Sequence, residues 1–305
     1  MYKTCFRFTL VLSLILSLLA CSTVKEVLDF GDDENVALYD HVADVESWKQ
    51  RREESLRKPY GWLSLVGLFW LEPGENRIGS SIDNDIILKA GPARWGVISV
   101  DGDTVRFKAH SEVVKVSGEL VADVELIADV DGEPNIVTAG STQFYLIKRG
   151  SYALRVKDSQ SPVLVNFAGL DYYPVDESWR IEGKFIPAKE GEVIQISNVL
   201  GQLEGSKLAG TVEFERGDRT YRLAALDEDD RLFFLFADRT NGSGTYGAGR
   251  FIYTELPKDG RVIIDFNKAY NPPCAFTDYS TCPLPPPQNR LPVEVLAGEK
   301  EYNQY

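Results

Sequence analysis

The stretch 262–300, VIIDFNKAYNPPCAFTDYSTCPLPPPQNRLPVEVLAGEK, constrains this chain more than any other. It holds seven of the fifteen prolines and two of the four cysteines. Proline removes a backbone donor and clashes with the preceding turn, so this segment cannot be a helix. It is too apolar and too aromatic for a disordered linker. The expectation is an irregular but ordered loop pinned against a sheet, and ordered loops of this length are usually functional.

Pairing partners for such a loop are abundant. From Gly61 onward the sequence alternates short apolar runs with turns such as Asp101-Gly102, Asp131-Gly132 and Lys258-Asp259-Gly260. Runs at 86–89, 96–100, 104–108, 112–116, 119–129, 143–149 and 152–157 predict a β-sandwich over 59–158. Trp62, Leu63, Leu65, Phe69, Trp70 and Leu71 are expected in its core. Runs at 181–186, 192–198, 208–216, 219–226, 231–237, 249–255 and 261–265 predict a second antiparallel β domain over 159–305. Tyr172, Tyr173, Pro174 and Trp179 read as an aromatic joint between the two. Before them, Tyr39, Val42, Val45, Trp48 and Leu56 recur at helical spacing, so a helix is expected over 36–58, stopped by Pro59. The predicted fold class is therefore mainly β, with an N-terminal helix and two β domains.

The N-terminus gives an address. Lys3 and Arg7 precede an apolar run that is too short to span a bilayer and reads as a secretory signal over 1–20. Its end, Leu18-Leu19-Ala20-Cys21, resembles the lipobox of bacterial lipoproteins. The resemblance implies cleavage before Cys21, a lipidated sulfur and a second, palmitate-type acylation of the new amino terminus. The expected location is the cell envelope, anchored by Cys21 to the outer membrane and facing the periplasm, with 21–35 as a tether. The net charge of −13 repels phosphate backbones, so nucleic acid is not an expected partner. Protein partners are not readable.

With Cys5 in the signal and Cys21 lipidated, Cys274 and Cys282 remain. In an oxidising compartment their spacing suits a disulfide; free, reactive thiols are the alternative. A metal pair is disfavoured, because the two histidines lie far away in sequence and no CxxC spacing occurs. No cofactor-binding motif is present: the glycines of 238–250 lack a following Lys-Ser/Thr, and there is no GxSxG elbow.

Two loops then compete as a site, 238–250 and 265–290. If 251–255 pairs with 262–265, Asp238, Tyr246, Arg250, Asp265, Asn267, Asn271 and Asn289 gather at one end. That set could bind a small polar ligand through Arg250. The simpler alternative is that Arg250 pairs with Asp265 and the asparagines hold the loop backbone. Two further readings stay open. One is a hydrolase-like enzyme using Asp265, Arg250 and Cys274; the other is a purely structural envelope module.

Two family resemblances bear on these expectations. PGENRIGSSIDNDIIL resembles the opening of a forkhead-associated domain, which implies a forkhead-associated-like sandwich for 59–158. Ser80 stands where that family has an arginine, and AGPARWGVISVDG lacks its Ser-x-x-His, so phosphopeptide recognition is not carried over. GWLSLVGLFWLEPGENRIGS, DYYP, SWRIEGKF, DRTNGSGTYGAGRF and the 262–300 block together resemble the bacterial and archaeal family known as domain of unknown function 1684, over roughly 45–302. That resemblance implies that both loops belong to one folded unit. It brings no activity and no catalytic residues. The family includes members without secretion signals, which keeps a thiol-based site in play.

Overall fold

The structure is a computed structural model and describes residues 33–303. The expected signal, Cys21 and the tether as far as residue 32 lie outside the described residues. Two compact units divide at residue 44: Met1–Asp44 and Val45–Tyr305. In the first, the described residues are helical. The helix is Asp33–Leu56, so it starts three residues before the expected position and ends short of Pro59. Among the described residues, no helix is long and apolar enough to cross a membrane.

The second unit contains three antiparallel-dominated sheets, two sharing one core and the third enclosing another. One five-stranded sheet runs, in spatial order, Leu65–Trp70, Ser151–Asp158, Thr142–Arg149, Val137–Ala139 and Lys115–Val116. Another runs Ile86–Ile87, Gly74–Gly79, Gly96–Asp101, Thr104–Ala109 and Asp123–Glu125. Residues of both share one core that includes Ile78, Trp95, Ile98, Phe107, Phe144 and Leu154, the face-to-face arrangement of a β-sandwich. Phe144 is fully buried, with ring centroids 5.7 Å from both Trp95 and Phe107. Truncating such a side chain costs roughly 3–5 kcal/mol.

Of the residues expected in this core, Phe69 and Leu71 do pack there. Trp62 and Trp70 are exposed, and Leu63 joins a separate cluster with Leu56, Phe167 and Phe276. The reason is alternation. Successive side chains of the strand Leu65–Trp70 point to opposite faces, so an apolar run cannot place every member inside.

The third sheet has seven strands. Its path is Arg250–Glu255, Arg231–Phe236, Arg219–Glu228, Leu203–Arg216, Arg180–Pro187 and Arg261–Asp265, with Val193–Ser197 attached to Leu203–Arg216. The two end strands approach each other, so the sheet curls almost into a barrel. The expected pairing of 251–255 with 262–265 does not form. Arg250–Glu255 pairs with Arg231–Phe236, and Arg261–Asp265 pairs with Arg180–Pro187. From Leu232 to Phe236 the strand Arg231–Phe236 is apolar at every position because both its faces are covered. Leu232, Phe234 and Phe236 enter the inner core with Trp179, Phe214 and Phe266, while Phe233 and Leu235 join Phe251 on the outer face.

The stretch 262–300 is ordered against this sheet, as expected from its composition. It contains three short 3-10 turns, Phe266–Lys268, Pro273–Ala275 and Pro287–Asn289. Phe251 and Tyr270 exchange both backbone hydrogen bonds at 2.9 Å, and Leu291 N–H donates to the Ala237 carbonyl at 2.8 Å. One close approach needs glycine. Gly298 has φ of +79°, and a Cβ there would lie 2.5 Å from the Ala269 carbonyl oxygen.

Candidate functional site

Most of the residues expected to form a ligand site prove to be fasteners. Arg250 is wholly buried, and its Nη2 lies 2.9 Å from Asp238 Oδ2. Its guanidinium also donates to the carbonyls of Val295, Ala297 and Glu299. Burial pulls its pKa down while Asp238 pulls it up, and burial prevails. Asp238 in turn accepts from Thr240 and from the Val295 N–H, so the loop after Phe236 is tied to the chain end. The partner of Arg250 is thus Asp238, where the sequence suggested Asp265. The glycine-rich segment 238–248 is closed by hydrogen bonds among Asp238, Thr240, Asn241 and Thr245.

Asp265 caps the turn Phe266–Lys268, accepting from the Asn267 backbone and side chain at 3.0 and 2.9 Å. Asn267 makes paired bonds with the Asp176 backbone, both at 2.9 Å. Asn289 does the same with Ala224 and adds a bond to the Leu235 carbonyl, spanning two strands of the sheet. Tyr246 donates to the Cys274 carbonyl at 3.0 Å. Of the seven, only Asn271 borders a large cleft. Its backbone N–H is held by Glu299 and its side-chain nitrogen by the Lys300 carbonyl, and its buried Oδ1 has no partner.

That cleft, about 820 Å³, lies where helix, sandwich, seven-stranded sheet and proline-rich loop meet. Its size is within the range of small-molecule sites. One wall is aromatic: Phe233, Phe251, Tyr253 and Tyr270 lie side by side on the outer face of the sheet, with Phe233 stacked on Tyr253 at 4.6 Å. Arginines dominate the rest. Arg51, Arg52, Arg149, Arg155 and Arg231 border it, against two carboxylates, Glu204 and Glu228. In a chain of net charge −13 this is a local inversion of sign.

Three of these arginines are neutralised. Arg52 bonds Glu299 at 2.8 Å and lies 4.7 Å over the Tyr270 ring; burial opposes its charge, but Glu299 leaves its pKa raised. Arg149 pairs with Asp129 at 2.7 Å, and Arg231 faces Asp230 at 3.6 Å. Arg51 and Arg155 have no carboxylate partner among the described residues. Arg51 is exposed, but Arg155 is 6% exposed. Its Nη2 donates to Thr281 Oγ1 at 3.0 Å, and its buried Nε bonds nothing. A buried, unpaired guanidinium costs several kcal/mol. It also draws down the neighbouring Lys157, whose pKa burial, with Arg155 adding repulsion, lowers to about 8.

None of these arginines lies in the loops 238–250 and 265–290, so the expected site did not include them. A signal for Arg155 was there: a lone charge inside the apolar run Tyr152–Val156, on a strand whose centre is buried. Arg51 and Arg52 lie in an almost wholly charged run at the end of the helix, a pattern that by itself marks a solvated face.

Cys274 and Cys282, expected to be bridged, are free thiols placed side by side. The Cys274 N–H donates to Cys282 Sγ at 3.1 Å, and the Cys282 thiol lies 3.4 Å from Ser280 Oγ. Among the described residues there is no cluster of three or more His, Cys, Asp or Glu side chains that could hold a metal ion.

Comparison with known proteins adds a family and no activity. No curated protein matches the chain. The uncharacterized protein from gene locus rrnAC0354 of Haloarcula marismortui, solved by solution NMR, is 32% identical over 45% of this chain and 78% of that one, with a TM-score of 0.37. The Rv0020c_FHA structure is 17% identical over 30% of this chain and 91% of that one, with a TM-score of 0.22. Neither superposition carries an argument about function. Residues 165–300 match the family described as "Protein of unknown function (DUF1684)". Through this region, which includes the proline-rich loop and all seven strands of the third sheet, the chain belongs to the DUF1684 family.

Proposed function

We propose that this is an envelope lipoprotein whose cleft holds a small anionic ligand with a flat apolar body. The observation that carries the reading is Arg155, a buried guanidinium with no carboxylate partner facing a cleft of small-molecule size. A carboxylate or phosphate there would complete its hydrogen bonds and offset its charge. The aromatic wall formed by Phe233, Tyr253 and Tyr270 suits a planar group attached to that anion. Asn271 lines the same cleft, so the loop 265–290 contributes to its wall and 238–250 braces it.

The test is a thermal-shift screen of small carboxylates and phosphates, aromatic and aliphatic, against wild type and Arg155→Met. An aromatic anion should stabilise wild type, and the variant should bind it at least about 30-fold more weakly, the usual loss when a buried charged hydrogen bond is removed. Equal stabilisation of both proteins, or none of wild type by any anion at millimolar concentration, would overturn the proposal. The anchor is tested separately: Cys21→Ser should release the protein from membranes and abolish labelling by palmitate.

A further inference from the structure

We propose that Cys274 and Cys282 form a thiol–disulfide exchange centre, with Cys274 attacking and Cys282 resolving. Cys282 also lines the cleft described above, but the thiol pair needs no ligand bound there. Three features of the geometry support it.

The first is proximity. The turn Pro273–Ala275 aims the Cys274 N–H at Cys282 Sγ, 3.1 Å away, so the two side chains are already neighbours as thiols. The second is asymmetry of access. Cys274 is partly exposed on the proline-rich loop, while Cys282 is 3% exposed. An incoming disulfide therefore meets Cys274 first. The third is the setting of the sulfurs. The Cys282 thiol, acting on the Cys274 sulfur, holds that group below its usual pKa; the Tyr246 hydroxyl, already anchored on the Cys274 carbonyl, adds to this against the opposing effect of burial. Cys282 is pushed the other way, by its contact with Cys274 and by burial. This is the division of labour of an attacking and a resolving thiol.

The step balances without a cofactor. The substrate is a small-molecule or exposed protein disulfide. The Cys274 thiolate attacks one of its sulfurs; that S–S bond breaks, and the departing thiolate takes up the proton Cys274 gave up. A mixed disulfide remains on Cys274. Its formation removes the negative charge beside Cys282, and with it the contact that kept Cys282 protonated. Cys282 then loses its proton and attacks the Cys274 sulfur, forming the Cys274–Cys282 bond and releasing the second substrate sulfur as a thiol. One disulfide is reduced to two thiols, and two thiols become one disulfide. Ser280 Oγ, which already accepts from the Cys282 thiol, is positioned to take part in relaying that proton.

The experiment mixes the reduced full chain with oxidised glutathione, quenches with acid and reads the products by mass spectrometry. Wild type should lose both thiols of the pair to an internal disulfide and release two equivalents of glutathione. Cys282→Ser should accumulate a stable glutathione adduct on Cys274, while Cys274→Ser should be modified at least tenfold more slowly. Iodoacetamide labelling of wild type against pH should show Cys274 reacting as thiolate below the pH at which the same thiol reacts in urea. Equal adduct rates in the two variants would overturn the assignment, as would a wild-type protein that keeps the adduct or stays fully reduced. A folded Cys274 that alkylates no faster than in urea would overturn it even if both variants misfold.

Discussion

Replacing Arg250 by methionine separates fastening from binding at the residue the sequence favoured most. Arg250 is fully buried, and its charge is met by Asp238 at 2.9 Å and by three carbonyls of the chain end. Methionine keeps much of the volume but leaves Asp238 as an uncompensated buried charge. Breaking one side of such a pair costs about 3–5 kcal/mol. Against a typical total of about 5–15 kcal/mol, that is a large share. For a unit of this size roughly 2–4 °C follow each kcal/mol, so the midpoint should fall by about 6–20 °C. Urea unfolding followed by circular dichroism measures the loss directly. Adding Asp238→Asn should recover part of it, because the orphaned charge is then gone. A single variant within about 1 kcal/mol of wild type that nevertheless loses ligand binding would refute the reasoning and return Arg250 to the functional site.

Three further outcomes follow from the same geometry. Gly298→Ala should cost about 1–3 kcal/mol in urea unfolding, since alanine is strained at φ of +79° and its Cβ would press on the Ala269 carbonyl. Asn289→Ala should cost about 1–3 kcal/mol, because the buried Ala224 N–H loses its acceptor; a cost near zero would mean that the two strands do not need this bridge. Lys157, with its pKa lowered from 10.5 to about 8, should become reactive to acetic anhydride near pH 8. Between those two values the unfolded chain holds the proton more tightly, so Lys157 makes stability rise with pH there. Lys157→Met should remove that slope, and a slope that persists unchanged would assign it to another group.

The strands were legible because their signal is local. Apolar runs bounded by turns such as Lys258-Asp259-Gly260 marked the seven strands of the third sheet to within a few residues, save for the early start of Leu203–Arg216. Which strand neighbours which was not legible. Hairpin logic joined 251–255 to 262–265, yet the curl of the sheet gives each a different partner. The site failed for the same reason. Asn267, Asn289 and Arg250 carry the residue types of a binding site, and only tertiary contacts show that backbone groups already use them. Arg155 stands out in the sequence as a lone charge in an apolar strand, but that it lacks an acid partner shows only in the fold.

The most direct test of the claim that Arg155 awaits an external anion needs no ligand. Urea unfolding of Arg155→Met, beside wild type in an anion-poor buffer, compares a buried unpaired charge with an apolar replacement. The charge contributes nothing to the empty fold, so the variant should match wild type or exceed it, by about 1–4 kcal/mol where the methionine packs well. A variant less stable by 3 kcal/mol or more would show that Arg155 holds the structure together, and the anion site would lose its foundation.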